Sequence, residues 1–182
     1  MKRVLLYGGS FDPPHRGHVT VPHQAMKHLT FDEVLFVPAF RSPLKDSTPT
    51  EQHHRLAMLE LALEQCDWAS ISTIELDRGG MSYTIDTIEA LRNSYAELRL
   101  LIGSDQWAQF SKWNRWEDIV KLANPAIMPR VGFETNDATL LPIDTLSATS
   151  TEIRAMLNRG ESIDALVHPR VAQYIAQNKL YM

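Results

Sequence analysis

The sequence predicts an α/β protein built on a doubly wound parallel sheet. Short apolar runs alternate with stretches of helical periodicity, the pattern of parallel strands joined by helical crossovers. Two of those runs end directly in glycine, at Gly8-Gly9 and at Gly103-Ser104-Asp105. Ligands in such sheets bind at the carboxyl ends of strands, near the point where strand order reverses.

The elements follow in order. Val4, Leu5 and Leu6 form a run too short for a solvated helix and apolar enough for a buried strand, Val4–Tyr7. Gly8 and Gly9 allow a sharp turn and a close approach to the backbone. Pro13 and Pro14 stiffen the loop and exclude helix before His15. A helix is expected over Gly17–Leu29, packing through Val19, Ala25, Met26 and Leu29, and a second strand over Val34–Pro38. Ala39–Thr50, with Arg41, Pro43, Lys45 and Pro49, reads as a mobile loop over the site. In Glu51–Gln65 the residues Leu56, Leu59 and Leu63, with Met58 and Ala62, keep helical period. Further strands are expected at Ala69–Ile74, Arg99–Ile102 and Pro125–Met128, with a weaker one at Leu140–Pro142. The matching helices are Thr84–Ser94 and Asp118–Ala123, and Gly132–Thr139 is a polar connection. From Thr151 to Leu180 the chain reads as helical, broken at Gly160 and Pro169. No repeat, low-complexity tract or linker interrupts it. One domain over residues 1–182 is expected, with a small C-terminal helical appendage at about 151–182.

Bulk properties narrow the class. The 182 residues suffice for a substantial core, and 44% hydrophobic with 22% charged residues is ordinary for a globular protein. A net charge of −4 argues against a broad nucleic-acid surface. No apolar run approaches the ~20 residues that span a bilayer. The start, MKRVLLYGG, is too short in its apolar part for a signal peptide and runs straight into the glycines. Cys66 is the sole cysteine, which rules out an intrachain disulfide and fits a cytoplasmic setting.

Three runs carry chemistry. In GGSFDPPHRGH, Gly8 to His18, a helix N-terminus with its unpaired N–H groups follows the glycine turn. His15 and His18 stand at that end, three positions apart, and each can donate an N–H to a phosphate oxygen. A glycine pair alone would be a turn and a lone histidine structural; strand, glycines, prolines and both histidines in one register point to a nucleoside triphosphate. In TSTEIR, Ser150 or Thr149 can cap a helix beginning near Thr151, so that hydroxyls, N–H groups and Arg154 converge on an anion. The alternative is an ordinary helix start followed by a surface arginine. In IGSD the acid after a strand-end glycine, Asp105, suits ribose hydroxyls. Trp107, Trp113 and Trp116 follow, each of which can fill a core. Trp113, among Ser111, Lys112, Asn114 and Arg115, is the one expected on a surface loop against a planar ring.

His15-Arg16-Gly17-His18 resembles the HxGH signature of the nucleotidylyltransferase superfamily, and TSTEIR its (S/T)-(S/A)-T-x-(I/V)-R segment. With SPLK at Ser42–Lys45, SYT at Ser82–Thr84, IGSD and the Trp113 region, the order resembles the bacterial nicotinate-nucleotide adenylyltransferase family along nearly the whole chain. That resemblance implies a Rossmann-like core, ATP with Mg²⁺ bound through its phosphates, and AMP transfer to nicotinate mononucleotide, giving deamido-NAD and pyrophosphate without a covalent intermediate. It implies that His15, His18 and Arg154 are catalytic, holding the ATP phosphates. Gly8, Gly9, Ser10, Phe11, Ser150 and Thr151 would complete the ATP site. Lys45, Thr84, Asp105 and Trp113 would meet the acceptor, with no metal ligand from the chain itself. Asp12 could reach the ion through water or cap its own loop. Two positions depart from the family: Leu44 stands where histidine is usual, and Asn114 where an aromatic often follows the tryptophan. Both lie where the acceptor is read. Transfer to nicotinamide mononucleotide or phosphopantetheine, cytidylyl transfer, and a non-catalytic nucleotide sensor are the competing readings.

Overall fold

The computed structural model describes residues 1–44, 48–133, 135, 140–145 and 148–182. Its strands β1 (Arg3–Gly9), β2 (Glu33–Pro38), β3 (Ala69–Ile71), β4 (Glu97–Gly103) and β5 (Ala126–Met128) form one sheet in the order β3-β2-β1-β4-β5. Every pairing is parallel. The helices are α1 (Arg16–Leu29), α2 (Gln52–Leu63), α3 (Ile74–Arg78), α4 (Thr84–Leu91), α5 (Ser104–Trp107), α6 (Trp116–Ala123), α7 (Ser150–Asn158) and α8 (Pro169–Gln177). The α/β, Rossmann-like doubly wound architecture expected from the alternation is the one observed.

Alternate residues of each strand feed opposite layers, as the two-residue period of a strand requires. Leu5, Tyr7, Val34, Phe36 and Leu101 pack with Ala25, Met26 and Leu59 on the face covered by α1 and α2. Val4, Leu6, Leu35, Val37 and Leu100 pack with Ile85, Ile88 and Ile119 on the face covered by α4 and α6. Helix α2 is apolar on two sides: Leu59 and Leu63 meet the sheet, while Met58 and Ala62 meet Ile153, Val167, Val171 and Ile175. The C-terminal helices thus share a buried cluster with α2.

The register of the two central strands opens the site. Strands β1 and β4 pair only from Arg3 with Glu97 to Leu6 with Leu100, yet β1 continues to Gly9 and β4 to Gly103. Beyond Leu6, β1 stays paired with β2 and β4 turns to β5. The last three residues of each strand therefore flank a crevice, at the point where strand order reverses.

Two expected elements differ. The strand Ala69–Ile74 ends at Ile71, because Ile74 opens α3. The Thr73 hydroxyl donates to Asp77 Oδ2 at 2.7 Å and the Asp77 N–H to the Thr73 carbonyl at 2.8 Å, a local helical turn that ends the strand. Leu140–Pro142 makes an isolated parallel bridge from Leu140 to Ile127 rather than a strand. Pro142 has no N–H to extend the ladder.

Candidate active site

The backbone places the two histidines before any ligand is considered. His15 is the N-cap of α1 in extended conformation, and His18 is the third residue of the helix. The His15 N–H donates to His18 Nδ1 at 3.1 Å. That bond makes His18 Nδ1 an acceptor, so the neutral ring carries its proton on Nε2. The two imidazoles stack with centroids 3.7 Å apart. The Phe11 ring, buried and at positive φ, meets His18 edge-on at 5.2 Å and also packs on Tyr7 and Phe36. Phe11 is thus the core strut beneath His18. Gly9 leaves room for it: a Cβ there would stand 3.0 Å from the Phe11 ring, which would have to give by a few tenths of an ångström. Burial, and secondarily the positive charge of Arg130, pushes the His15 imidazole down to about 4, so it is neutral at pH 7.

Helix α7 brings the second motif to the same place. Thr149 caps it, its hydroxyl accepting the Glu152 N–H at 3.1 Å, as the sequence allowed. The Ser150 hydroxyl donates to the Pro13 carbonyl at 2.9 Å. Arg154 donates through Nη1 to the Asp12 carbonyl at 2.7 Å and through Nη2 to the Thr151 hydroxyl at 3.3 Å. TSTEIR and GGSFDPPH are therefore bonded to each other, across more than 130 residues of chain.

Two adjoining cavities fill the crevice. The larger, about 920 Å³, is lined by Gly8, Gly9, Ser10, Phe11, Asp12, His15, His18, Asp105, Arg130, Thr149, Ser150, Thr151, Arg154 and Tyr181. The smaller, about 520 Å³, is lined by Ser82, Tyr83, Thr84, Lys112, Trp113 and Asn114, together with Glu75 and Thr87. Gly8, Gly9, Ser10, Ser42, Leu44 and Gln106 belong to both walls. Thr84 opens α4, and Trp113 follows a 3₁₀ turn, half-buried against Phe110 rather than on an open surface loop. Asp105, expected beside the acceptor, lines the larger cavity with the arginines. Lys45 lies outside the described residues.

Among the described residues, three buried side-chain atoms have no hydrogen-bond partner: His15 Nδ1, Asp105 Oδ1 and Trp113 Nε1. All three belong to cavity walls, where a polar ligand would satisfy them.

Sequence reasoning missed Arg130 and Arg55. Arg130 follows β5 at the carboxyl edge of the sheet; its N–H donates to the Ser104 hydroxyl at 3.0 Å, and its guanidinium stands 3.7 Å from Asp105 Oδ1. A Cβ on Gly103 would stand 2.3 Å from Asp105 Oδ1 and 3.2 Å from the Arg130 side chain, so both side chains would have to move to admit one. Its position, one residue past Pro129 after a buried strand, was the available signal. Arg55 of α2 is 1% exposed and donates to three backbone carbonyls: Thr50 at 2.8 Å, Ser10 at 2.9 Å and Phe40 at 3.2 Å. It ties together the loops after β1 and β2. Nothing local in the sequence marks an arginine on an apolar helix as such a clamp.

Comparison with known proteins agrees with this geometry. Residues 6–156 match the model of the cytidylyltransferase-like family. A protein of Herpetosiphon aurantiacus, named "probable nicotinate-nucleotide adenylyltransferase", is 39% identical, with 100% of each chain covered. One of the same name from Bordetella avium is 36% identical, covering 100% of this chain and 98% of its own. The solved structure of Plasmodium falciparum nicotinic acid mononucleotide adenylyltransferase complexed with NaAD shares the fold, with a TM-score of 0.81 at 24% identity, covering 100% of this chain and 98% of that one. Within the cytidylyltransferase-like proteins, this chain belongs to the nicotinate-nucleotide adenylyltransferase family.

Proposed function

We propose that the protein transfers AMP from ATP to nicotinate mononucleotide, giving deamido-NAD and pyrophosphate. The observation that carries this reading is the pair of cavities meeting at Gly8–Ser10. A transfer between two nucleotides needs both held at once, with the reacting phosphates at the shared wall. Glycine there lets phosphate approach the backbone closely. The larger cavity, with two imidazoles and two arginines, takes the triphosphate. The smaller, with Trp113 and Thr84, takes the mononucleotide. The N-cap of α4, Tyr83, makes no side-chain cap hydrogen bond, so N–H groups of that first turn are open to a polar ring substituent. The names of the relatives support the same substrate pair.

The acceptor phosphate attacks the α-phosphorus in line and the bond to pyrophosphate breaks, so no protein nucleophile is needed. His18, as the Nε2–H tautomer, and neutral His15 donate to oxygens where charge builds. Arg154 and Arg130 neutralise the departing pyrophosphate. Asp105 Oδ1, 3.7 Å from the Arg130 guanidinium and without a hydrogen-bond partner, accepts from a ribose hydroxyl. Mg²⁺ keeps much of its water and binds readily to phosphate oxygens, so in this reading it is carried on the ATP phosphates. Bound in that way, Mg²⁺ would supply charge neutralisation at the phosphates.

The test offers nicotinate mononucleotide, nicotinamide mononucleotide and phosphopantetheine separately with Mg²⁺-ATP and records pyrophosphate release. Strong preference for the nicotinate substrate is expected, with Leu44 and Asn114 tolerated. Preference for another acceptor, or no release with any, would reject the assignment.

A further inference from the structure

Asp12 is 8% exposed at the edge of the larger cavity. Segments far apart in sequence converge on it. The Tyr181 hydroxyl, beyond α8, donates to Asp12 Oδ1 at 2.5 Å, and the Thr50 N–H donates to Oδ2 at 3.1 Å. The Asp12 carbonyl accepts from Arg154 Nη1 at 2.7 Å. Tyr181 itself stands at φ 62, a left-handed conformation that a non-glycine residue holds only where its surroundings fix it.

From this convergence we propose that Tyr181 is a positioning residue of the nucleotide site, acting through Asp12 to hold the Arg154 guanidinium at the phosphate end of the larger cavity. The proposal rests on the adenylyltransferase reading for the identity of that ligand. A carboxylate with one oxygen on a phenol and the other on an amide cannot swing, so its carbonyl stays where Arg154 meets it. Arg154 is then pre-oriented, and less freedom is lost when phosphate binds. Burial, reinforced by the bond to Asp12, raises the Tyr181 hydroxyl above its ordinary range, so the donor proton is present at neutral pH. With both oxygens engaged, Asp12 is a strut for its loop.

The test is a double-mutant cycle read by calorimetric titration with Mg²⁺-ATP. Tyr181→Phe keeps the ring and deletes the donor. In the wild-type background it raises the Kd for Mg²⁺-ATP roughly three- to tenfold, and in an Arg154→Ala background less than about twofold, because coupled residues are non-additive. The KM for the acceptor stays within about twofold in Tyr181→Phe. An unchanged Kd, or an equal factor in both backgrounds, overturns the proposal. Asp12→Asn weakens the same link from the other end; if Tyr181→Phe loses its unfolding transition, this variant must reproduce the pattern, and failure to do so also overturns it. Protein that binds Mg²⁺-ATP but releases no pyrophosphate with any acceptor fails the transferase reading, while the cycle still decides the role of Tyr181.

Discussion

His15 is where the chemistry of a single residue has a consequence for the whole protein. Its imidazole is held down to about 4, against an ordinary value near 6.5, by burial first and by Arg130 second. Between those two values the unfolded chain binds a proton that the folded one does not. Stability from this residue is therefore complete above about pH 6.5 and is lost as pH falls toward 4. The difference corresponds to on the order of 3 kcal/mol. Urea unfolding at pH 7.5 and pH 4.5 checks it: His15→Asn should narrow the gap between the two pH values by an amount of that order. An equal gap in both proteins would mean the ring is not held neutral. The residue scale is also where the sequence was most readable. His15 and His18 sit in one local run whose helix, cap and register follow from neighbouring residues. Asp105 was legible as a chemical group but not as a member of the larger cavity, because β4 ends between the two chambers.

At the scale of elements, the loops that frame the crevice are held by α2. Arg55 places its three side-chain nitrogens on Ser10, Phe40 and Thr50, all backbone carbonyls, with no carboxylate among those partners. Arg55→Met leaves them without that donor in a part-buried setting, which should cost about 2 kcal/mol or more. Chemical denaturation measures this, and a loss below about 1 kcal/mol would mean that water replaces the guanidinium. Strands and long helices were legible from period and composition. Helix α3 was not, since five residues are too few to declare a period and Ile71 and Ile74 extend an apolar pattern. Arg55 and Tyr181 were not legible because they act on distant parts of the chain: Arg55 reaches Ser10, 45 residues away, and Tyr181 and Asp12 are 169 residues apart.

Across the whole molecule, five parallel strands with a reversal between β1 and β4 create one crevice, and two cavities divide it at a shared glycine wall. The fold class was readable because alternation and strand-end glycines are consequences of that topology. The two-chambered shape was not, since it arises from where β1 and β4 stop pairing. In the proposed reaction both nucleotides occupy the crevice together and AMP passes directly between them. Exchange of labelled pyrophosphate into ATP tests it most directly. Direct transfer predicts no exchange with ATP, Mg²⁺ and pyrophosphate alone, and exchange once nicotinate mononucleotide is added. Exchange without any acceptor would reveal an adenylylated enzyme and rule out direct transfer.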